Sequence, residues 1–361
     1  MRDGIIWSSG YEVDIIAILF ICCVVFSAYR NRNKIVRNSM SRDLTASLRG
    51  VFAITIVMFH LSQIITSGKI FKIFSFSGYL IVACFFFFSG YGLMAQLKNK
   101  GKEYLQDFIR HRIGVILIPW VFVSFLYGAY YYCTGGIEQV VKIINNKKNG
   151  FLIIQNSWFI VSIVIFYFIF FGVFKFIRWT ENRLLGGIIL IFFLCNIYCI
   201  IVHLIGMGVW WYYSSWAFPL GMISKEYGSI IYRVLNLNNW MYIFIVSCLF
   251  IFCYATRFIN SKYIHSEFIY IICALFASSL FACLIINISK SISIQSKIWG
   301  YIGSISMEIY LIHELIFTIL RSSLFYIKSD AIFIIATLII SILSAYILHQ
   351  VNKKIITIVK I

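Results

Sequence analysis

Arg49 and His60 lie eleven residues apart inside one apolar stretch, residues 48–65. Eleven residues of α-helix turn through about 1100°, which leaves the two side chains about 20° apart in azimuth and about 16 Å apart along the axis. That rise is roughly half a bilayer core, so the stretch sets an arginine at one membrane face and an imidazole near the midplane. An imidazole there can act as a general base or a nucleophile, and a guanidinium can hold developing negative charge. An ionisable group at that depth is costly to bury and marks a functional position by default. Blander roles compete: a histidine that bridges two helices by a hydrogen bond, and an arginine that anchors the positive side.

A second group falls late in the chain. Ser306, Tyr310 and His313 are spaced i, i+4, i+7 and share one helical face within about 40°. His313 lies about 18 Å along from Tyr301, at nearly the depth of His60. Two imidazoles at one depth could line a single polar cavity. Glu308 falls on the side opposite Ser306 and reads as a partner for another helix. His111 reads as a loop residue, and His203, His265 and His349 as interfacial residues at the ends of apolar runs. Ser89-Gly90 reads as a close helix approach, and Trp158 as a cavity wall or belt residue.

The elements that must carry these groups follow from composition. The chain of 361 residues is 61% hydrophobic and only 12% charged, with mean hydropathy +0.90 and two prolines. A soluble domain carries about a quarter charged residues. The fold class expected is all-α, a polytopic integral membrane protein with about eleven transmembrane helices, near 13–29, 48–66, 73–95, 113–133, 152–174, 184–205, 210–224, 240–256, 267–287, 301–320 and 331–351. The first run follows Asp3, Glu12 and Asp14 and precedes Arg30, Arg32, Lys34 and Arg37, the reverse of a cleavable signal peptide's charge order. An N-terminus outside and a C-terminus inside then place twenty-one of the 31 lysines and arginines on the inner face. The net charge of +18 is spread over short loops with no basic stripe, which speaks for membrane topology and against nucleic acid. The longest outer loop, Thr134–Gly150 with Lys142, Lys147 and Lys148, reads as a solvated connector. The ten cysteines fall in or beside apolar runs without a metal-ligand spacing, so neither a metal nor disulfides are expected.

Four segments, in order, carry a resemblance. Leu48-Arg49-Gly50 opens an Arg-x10-His helix. Gly78 is followed by Phe85-Phe86-Phe87-Phe88-Ser89-Gly90-Tyr91. Asn156-Ser157-Trp158-Phe159 leads to Phe166-Tyr167, and Gly303-Ser304-Ile305-Ser306 leads through Ile309-Tyr310-Leu311-Ile312-His313. Together they resemble the acyltransferase family 3 membrane proteins, which O-acylate cell-envelope carbohydrates, over about residues 42–351. The resemblance implies a ten-helix acyltransferase core in residues 42–361. Residues 1–41 then form an additional N-terminal helix and a basic cytoplasmic linker. Two departures stand out. Where the family often has an Arg-x-x-Arg pair before a proline, tied to the acyl-CoA donor, this chain has Arg110-His111-Arg112 before Pro119, with Val115 and Ile116 following. Lys98, Lys100 or Lys102 could share the donor contacts. Where some members place Glu-Glu-Gln, this chain has Ile163-Val164-Ile165, which resembles the stand-alone branch without a fused extracytoplasmic domain.

The resemblance implies a membrane O-acyltransferase, an O-acetyltransferase above all. It would move an acyl group from cytoplasmic acetyl-CoA or another acyl-CoA to a hydroxyl of an envelope polysaccharide or its lipid-linked sugar precursor. No tightly bound cofactor is implied, and the partners are acyl-CoA, the glycan acceptor and the lipid bilayer of a bacterial cytoplasmic membrane. His60, Arg49 and His313 would be catalytic; Arg110 and Arg112 would hold the donor; Trp158, Tyr310 and Ser306 would contact the acceptor. A transporter or exporter of an envelope glycan is the alternative class, although no interrupted pair of repeats supports that architecture. A purely structural subunit leaves the Arg49/His60 geometry unexplained.

Overall fold

The computed structural model describes residues 10–30, 40–176, 181–234, 238–323 and 325–359. Among these residues the chain forms twelve helices: α1 (Tyr11–Phe26), α2 (Arg42–Ile64), α3 (Gly78–Lys100), α4 (Val115–Ile144), α5 (Trp158–Phe176), α6 (Glu181–Leu204), α7 (Ala217–Val234), α8 (Asn239–Ile259), α9 (Glu267–Ser291), α10 (Lys297–Ser304), α11 (Ser306–Leu320) and α12 (Asp330–Ile358). One small antiparallel ladder joins β1 (Ala28–Arg30) to β2 (Ile292–Ile294), with Tyr29 opposite Ser293. Arg32, Lys34 and Arg37 of the expected basic linker, and Arg178 of an expected inner loop, lie outside the described residues.

Eight of the described helices are long and apolar enough to cross a membrane, or nine if α10 and α11 count as one span broken by a 72° bend. The protein is a multi-pass membrane protein. The difference from the eleven expected spans lies in α1 and α7. The first is only 16 residues long. The seventh begins at Ala217 rather than at 210, because Val209–Trp211 is wound as a tight 3-10 turn, and it carries Lys225, Glu226 and Arg233. The expected outer loop at 134–150 is also shorter than the sequence implied. Gly135 and Gly136 leave helical conformation and kink α4, and a second helical segment then runs on to Ile144.

The described chain divides into two compact units. The first contains α1, the ladder, α2, α10, α11 and α12 as far as His349. Its centre is the crossing of α2 and α10. A Cβ on Gly303 would overlap the Ala46 carbonyl oxygen, and one on Gly50 would overlap that of Trp299, so the two backbones touch. Small residues permit such an approach where no water drives helices together. From Leu44 to Leu61, α2 is almost wholly buried, and Ser41 caps its start by accepting a hydrogen bond from the Leu44 N–H (3.1 Å). The 72° bend follows at Ser304–Ile305, where the Ser304 hydroxyl donates back to the Tyr301 carbonyl (2.7 Å) and the helix ladder is interrupted.

The first helix is tied into this unit by directed contacts. The Asp14 carboxylate accepts from the N–H groups of Lys69, Ile70 and Phe71 at 3.0, 2.8 and 3.0 Å, satisfying the free donors where the 3-10 turn Phe71–Phe76 begins. Phe20 meets the edge of Trp299, whose indole N–H donates to Ser27 Oγ (3.1 Å). α12 is patterned inside out: Ile332, Ile335, Ile339 and Leu343 are exposed, whereas Phe333, Thr337, Ser341 and Ala345 are buried. Lipid is as good a neighbour as protein for an aliphatic side chain, so polarity turns inward.

The second unit comprises residues 79–291 and the last residues of α12. Its core is aromatic, with Phe86, Phe166, Phe170 and Phe218 fully buried. α3 and α7 cross at backbone contact, where a Cβ on Gly90 would overlap the Phe218 carbonyl and one on Gly221 that of Phe87. The close approach expected at Ser89-Gly90 is present through the glycine. α8 exposes Phe244, Phe252 and Phe258, as a lipid-facing helix does.

The glycine contact generates a direct prediction. Gly303→Ala should force α10 off α2 and cost about 1–3 kcal/mol, read as a lower melting temperature in detergent and less protein in the membrane. Gly92→Ala on α3, where a Cβ meets nothing within 4 Å, should leave both unchanged. Equal behaviour of the two variants would contradict the packing argument.

Candidate functional site

The unbroken helix over Arg42–Ile64 keeps the azimuth and rise on which the Arg49/His60 reading depended. His60 is 8% exposed, and Arg49, about three turns earlier, is exposed. On the other side of the bend, α11 carries His313, which is completely buried. The two imidazoles meet, with ring centroids 5.1 Å apart and planes inclined by 34°. The expectation of two histidines at one depth is realised as a direct contact within the first unit.

The hydrogen bonding of His313 defines its chemistry. Nδ1–H donates to the Ile309 carbonyl one turn back (3.1 Å), since a carbonyl can only accept. In the neutral ring this leaves the lone pair on Nε2, which is buried and has no hydrogen-bond partner among the described residues. A buried polar atom without a partner is rare and calls for an explanation. Here it is a basic nitrogen beside a second imidazole. His60 takes a hydrogen bond with the Gln63 side chain and packs against Phe59 at 4.8 Å.

Tyr310 lies beside His313, with centroids 6.1 Å apart, and Phe317 closes the other side at 6.0 Å. Ser306 is the first residue of α11, immediately after the bend, and is partly exposed. Glu308 faces elsewhere, as its position on the helix implied. Its carboxylate meets His349 Nδ1 at 2.8 Å, with side chains 7% and 20% exposed. His349 is therefore not simply interfacial, as its place near a span end suggested. The sequence signal was present: an acid in an apolar helix requires a partner, and a histidine on the next helix can supply it.

The remaining expected site residues belong to the second unit. Trp158 is 7% exposed and packs against Trp211 and Phe159, both at 6.4 Å. Arg110 and Arg112 share the π-helical turn Ile109–Gly114 that leads into α4. Arg110 is exposed and donates to the Val359 carbonyl (3.3 Å), while Arg112 lies over the Tyr104 ring at 5.5 Å. Of the neighbouring lysines, Lys98 is paired with Glu226 at 3.0 Å.

Glu308→Ala should strand His349 in a low-dielectric interior. Leaving one partner of a buried hydrogen-bonded pair unsatisfied costs roughly 1–3 kcal/mol, whereas replacing both by apolar residues of similar shape is often nearly neutral. Thermal denaturation in detergent should show Glu308→Ala well below wild type and Glu308→Leu combined with His349→Phe close to it. A double variant no better than the single one would point to a function for the pair beyond mutual satisfaction.

The family model for the acyltransferase domain of acyltransferase family 3 matches residues 47–350. That range runs from just before Arg49 to just past His349 and takes in both imidazoles. No curated protein and no solved structure matched the chain. With the match extending over most of its length, the chain belongs to acyltransferase family 3 and is a membrane acyltransferase.

Proposed function

We propose that this acyltransferase is an O-acyltransferase of the bacterial cytoplasmic membrane. It takes an acyl group, acetyl in the reading we favour, from cytoplasmic acyl-CoA. It delivers that group to a hydroxyl of a cell-envelope polysaccharide or its lipid-linked precursor. The observation that carries the reading is the buried imidazole pair in which His313 Nε2 has no hydrogen-bond partner among the described residues. A buried base facing a second imidazole suits proton abstraction from an alcohol, and family membership supplies the acyl chemistry.

In this reading one imidazole of the pair removes the proton from the acceptor hydroxyl. The oxygen attacks the thioester carbonyl, a C–O bond forms, the C–S bond breaks, and the departing thiolate of coenzyme A takes the proton back. His60 can serve as that base or accept the acyl group first and pass it on. Arg49 orients the donor or holds the negative charge that develops on the carbonyl oxygen. Arg110 and Arg112 bind the phosphates of coenzyme A by charge-assisted hydrogen bonds. Tyr310 and Ser306 contact the acceptor, and Trp158 forms a wall. An N-terminus outside and a C-terminus inside put the basic loops on the cytoplasmic side, from which the thin pantetheine arm reaches toward the membrane midplane.

NMR of surface glycan from cells with and without the gene tests the reading, the gene being required for O-acyl signals. His60→Gln and His313→Gln keep hydrogen bonding but remove the base, so each should lower acylation by about 10²–10⁴-fold at matched protein level. Loss of an interhelical hydrogen bond alone costs only about 0.6–2 kcal/mol and would leave activity largely intact in folded protein. Near-normal acylation by both glutamine variants would remove the imidazoles from the chemistry.

The donor assignment has a separate readout. Arg110→Ala with Arg112→Ala should raise the acyl-CoA concentration needed for half-maximal rate in membranes while leaving protein level unchanged. An unaltered donor dependence would move the phosphate contacts to other basic residues.

A further inference from the structure

The second unit holds a cationic site outside the imidazole pair. Arg257, in the last turn of α8, is walled by three tyrosines, with its Cζ 4.4 Å from the ring centroid of Tyr270, 4.5 Å from that of Tyr79 and 5.4 Å from that of Tyr213. Its guanidinium donates to the Tyr270 hydroxyl at 2.6 Å, but Nε is buried and has no acceptor among the described residues. Tyr213 is 3% exposed, and its hydroxyl is likewise buried without a partner. Among the described residues no carboxylate forms an ion pair with Arg257; Glu267, at the start of α9, is 3.8 Å from His203 instead.

A guanidinium stacked on aromatic rings is stabilised by their faces, and a cation near the C-terminal end of a helix is favoured by the helix dipole. Neither effect gives Nε an acceptor or Tyr213 a partner, and a buried donor without one is destabilising. Both vacant groups can donate, so the matching ligand atom is an acceptor, and the unpaired positive charge calls for an anion. All four residues lie at or beside helix ends: Tyr79 opens α3, Tyr213 precedes α7, Arg257 closes α8 and Tyr270 lies in the first turns of α9. Such ends, rich in tyrosine, mark the depth of lipid headgroups. We propose that Arg257 and Tyr213 form an oxyanion site for a lipid-borne phosphate. Resting on the O-acyltransferase reading, its occupant is the phosphate that carries a lipid-linked sugar acceptor. A planar guanidinium held between rings can offer parallel N–H donors to two non-bridging phosphate oxygens, which an ammonium point charge does not.

Purified full-length protein in detergent can be titrated with a long-chain isoprenyl phosphate, with phosphatidylglycerol and with inorganic phosphate, following the melting temperature and the dissociation constant. Wild type should bind a lipid phosphate more tightly than inorganic phosphate. Tyr213→Phe deletes only a hydroxyl that has no partner among the described residues, so the ligand-free melting temperature should hold or rise while lipid-phosphate binding weakens about tenfold or more. Arg257→Lys should weaken it similarly. Tighter binding of the isoprenyl phosphate assigns the site to the acceptor carrier, and equal or tighter binding of phosphatidylglycerol assigns it to a bilayer lipid; either supports a lipid-phosphate site. Unchanged binding of every probe by Tyr213→Phe and Arg257→Lys overturns it. Glycan acylation measured in the same strains keeps the two readings apart. Normal acylation with unaltered binding removes the site alone, and absent acylation by wild type with intact binding removes the O-acyltransferase reading alone.

Discussion

Contact between the backbones of α2 and α10 is the constraint on which the first unit depends. Gly50, Gly303 and Ala46 leave no side-chain layer between the two helices, so their separation is fixed by main-chain atoms. Once α10 is held there, the 72° bend at Ser304–Ile305 sets where α11 points, and α11 brings His313 to His60. A layer of leucines at the same crossing would widen it toward the 8–10 Å interaxial spacing of ordinary packed helices. The imidazole contact is thus a consequence of two missing side chains, each ten residues before the histidine of its own segment.

Unused polar capacity is also found inside this unit. His313 Nε2 and the hydroxyls of Thr337 and Ser341 are all buried without a hydrogen-bond partner among the described residues. Other polar groups of the same unit are closely satisfied: Glu308 by His349, Asp14 by three backbone N–H groups, and Asp330 by Arg321 and Ser67. The contrast separates groups that hold the fold together from groups left with unused bonding. In a low-dielectric interior an unused donor or acceptor is costly, and such strain is characteristic of places built to receive another molecule.

Much of this arrangement was legible in the chain. The eleven-residue interval from Arg49 to His60 was read correctly as one helix because helical rise and twist alone convert spacing into depth and azimuth. The equal depth of His60 and His313 followed from the same arithmetic, and so did the turn of Glu308 away from the Ser306 face and toward another helix. Neighbours were harder to read. His349 sits near the end of a hydrophobic run, which tells its depth but not that Glu308 approaches it. The bend at Ser304–Ile305 has no proline, and a pair such as Gly303-Ser304, with a serine that bonds back along its own helix, leaves no pattern in hydropathy. At Gly135-Gly136 the backbone does leave the helix as two glycines suggest, but helix resumes beyond them to Ile144, so the loop is shorter than the drop in hydropathy implies. The Arg257 cage escaped notice because its four members are scattered from Tyr79 to Tyr270 and only packing gathers them.

The crossing of α2 and α10 joins residues separated by about 250 positions in the chain. At a synthesis rate of about 5–20 residues per second, the glycine face of α2 waits roughly 10–50 s for its partner to emerge. During that interval the stripe formed by Ala46 and Gly50 is a vacant docking edge within the lipid, open to any other helix with a small-residue face. The unit that holds the imidazole pair is therefore among the last parts of the molecule to be assembled. Its β1–β2 ladder, which joins residues 28–30 to residues 292–294, closes at that same late moment.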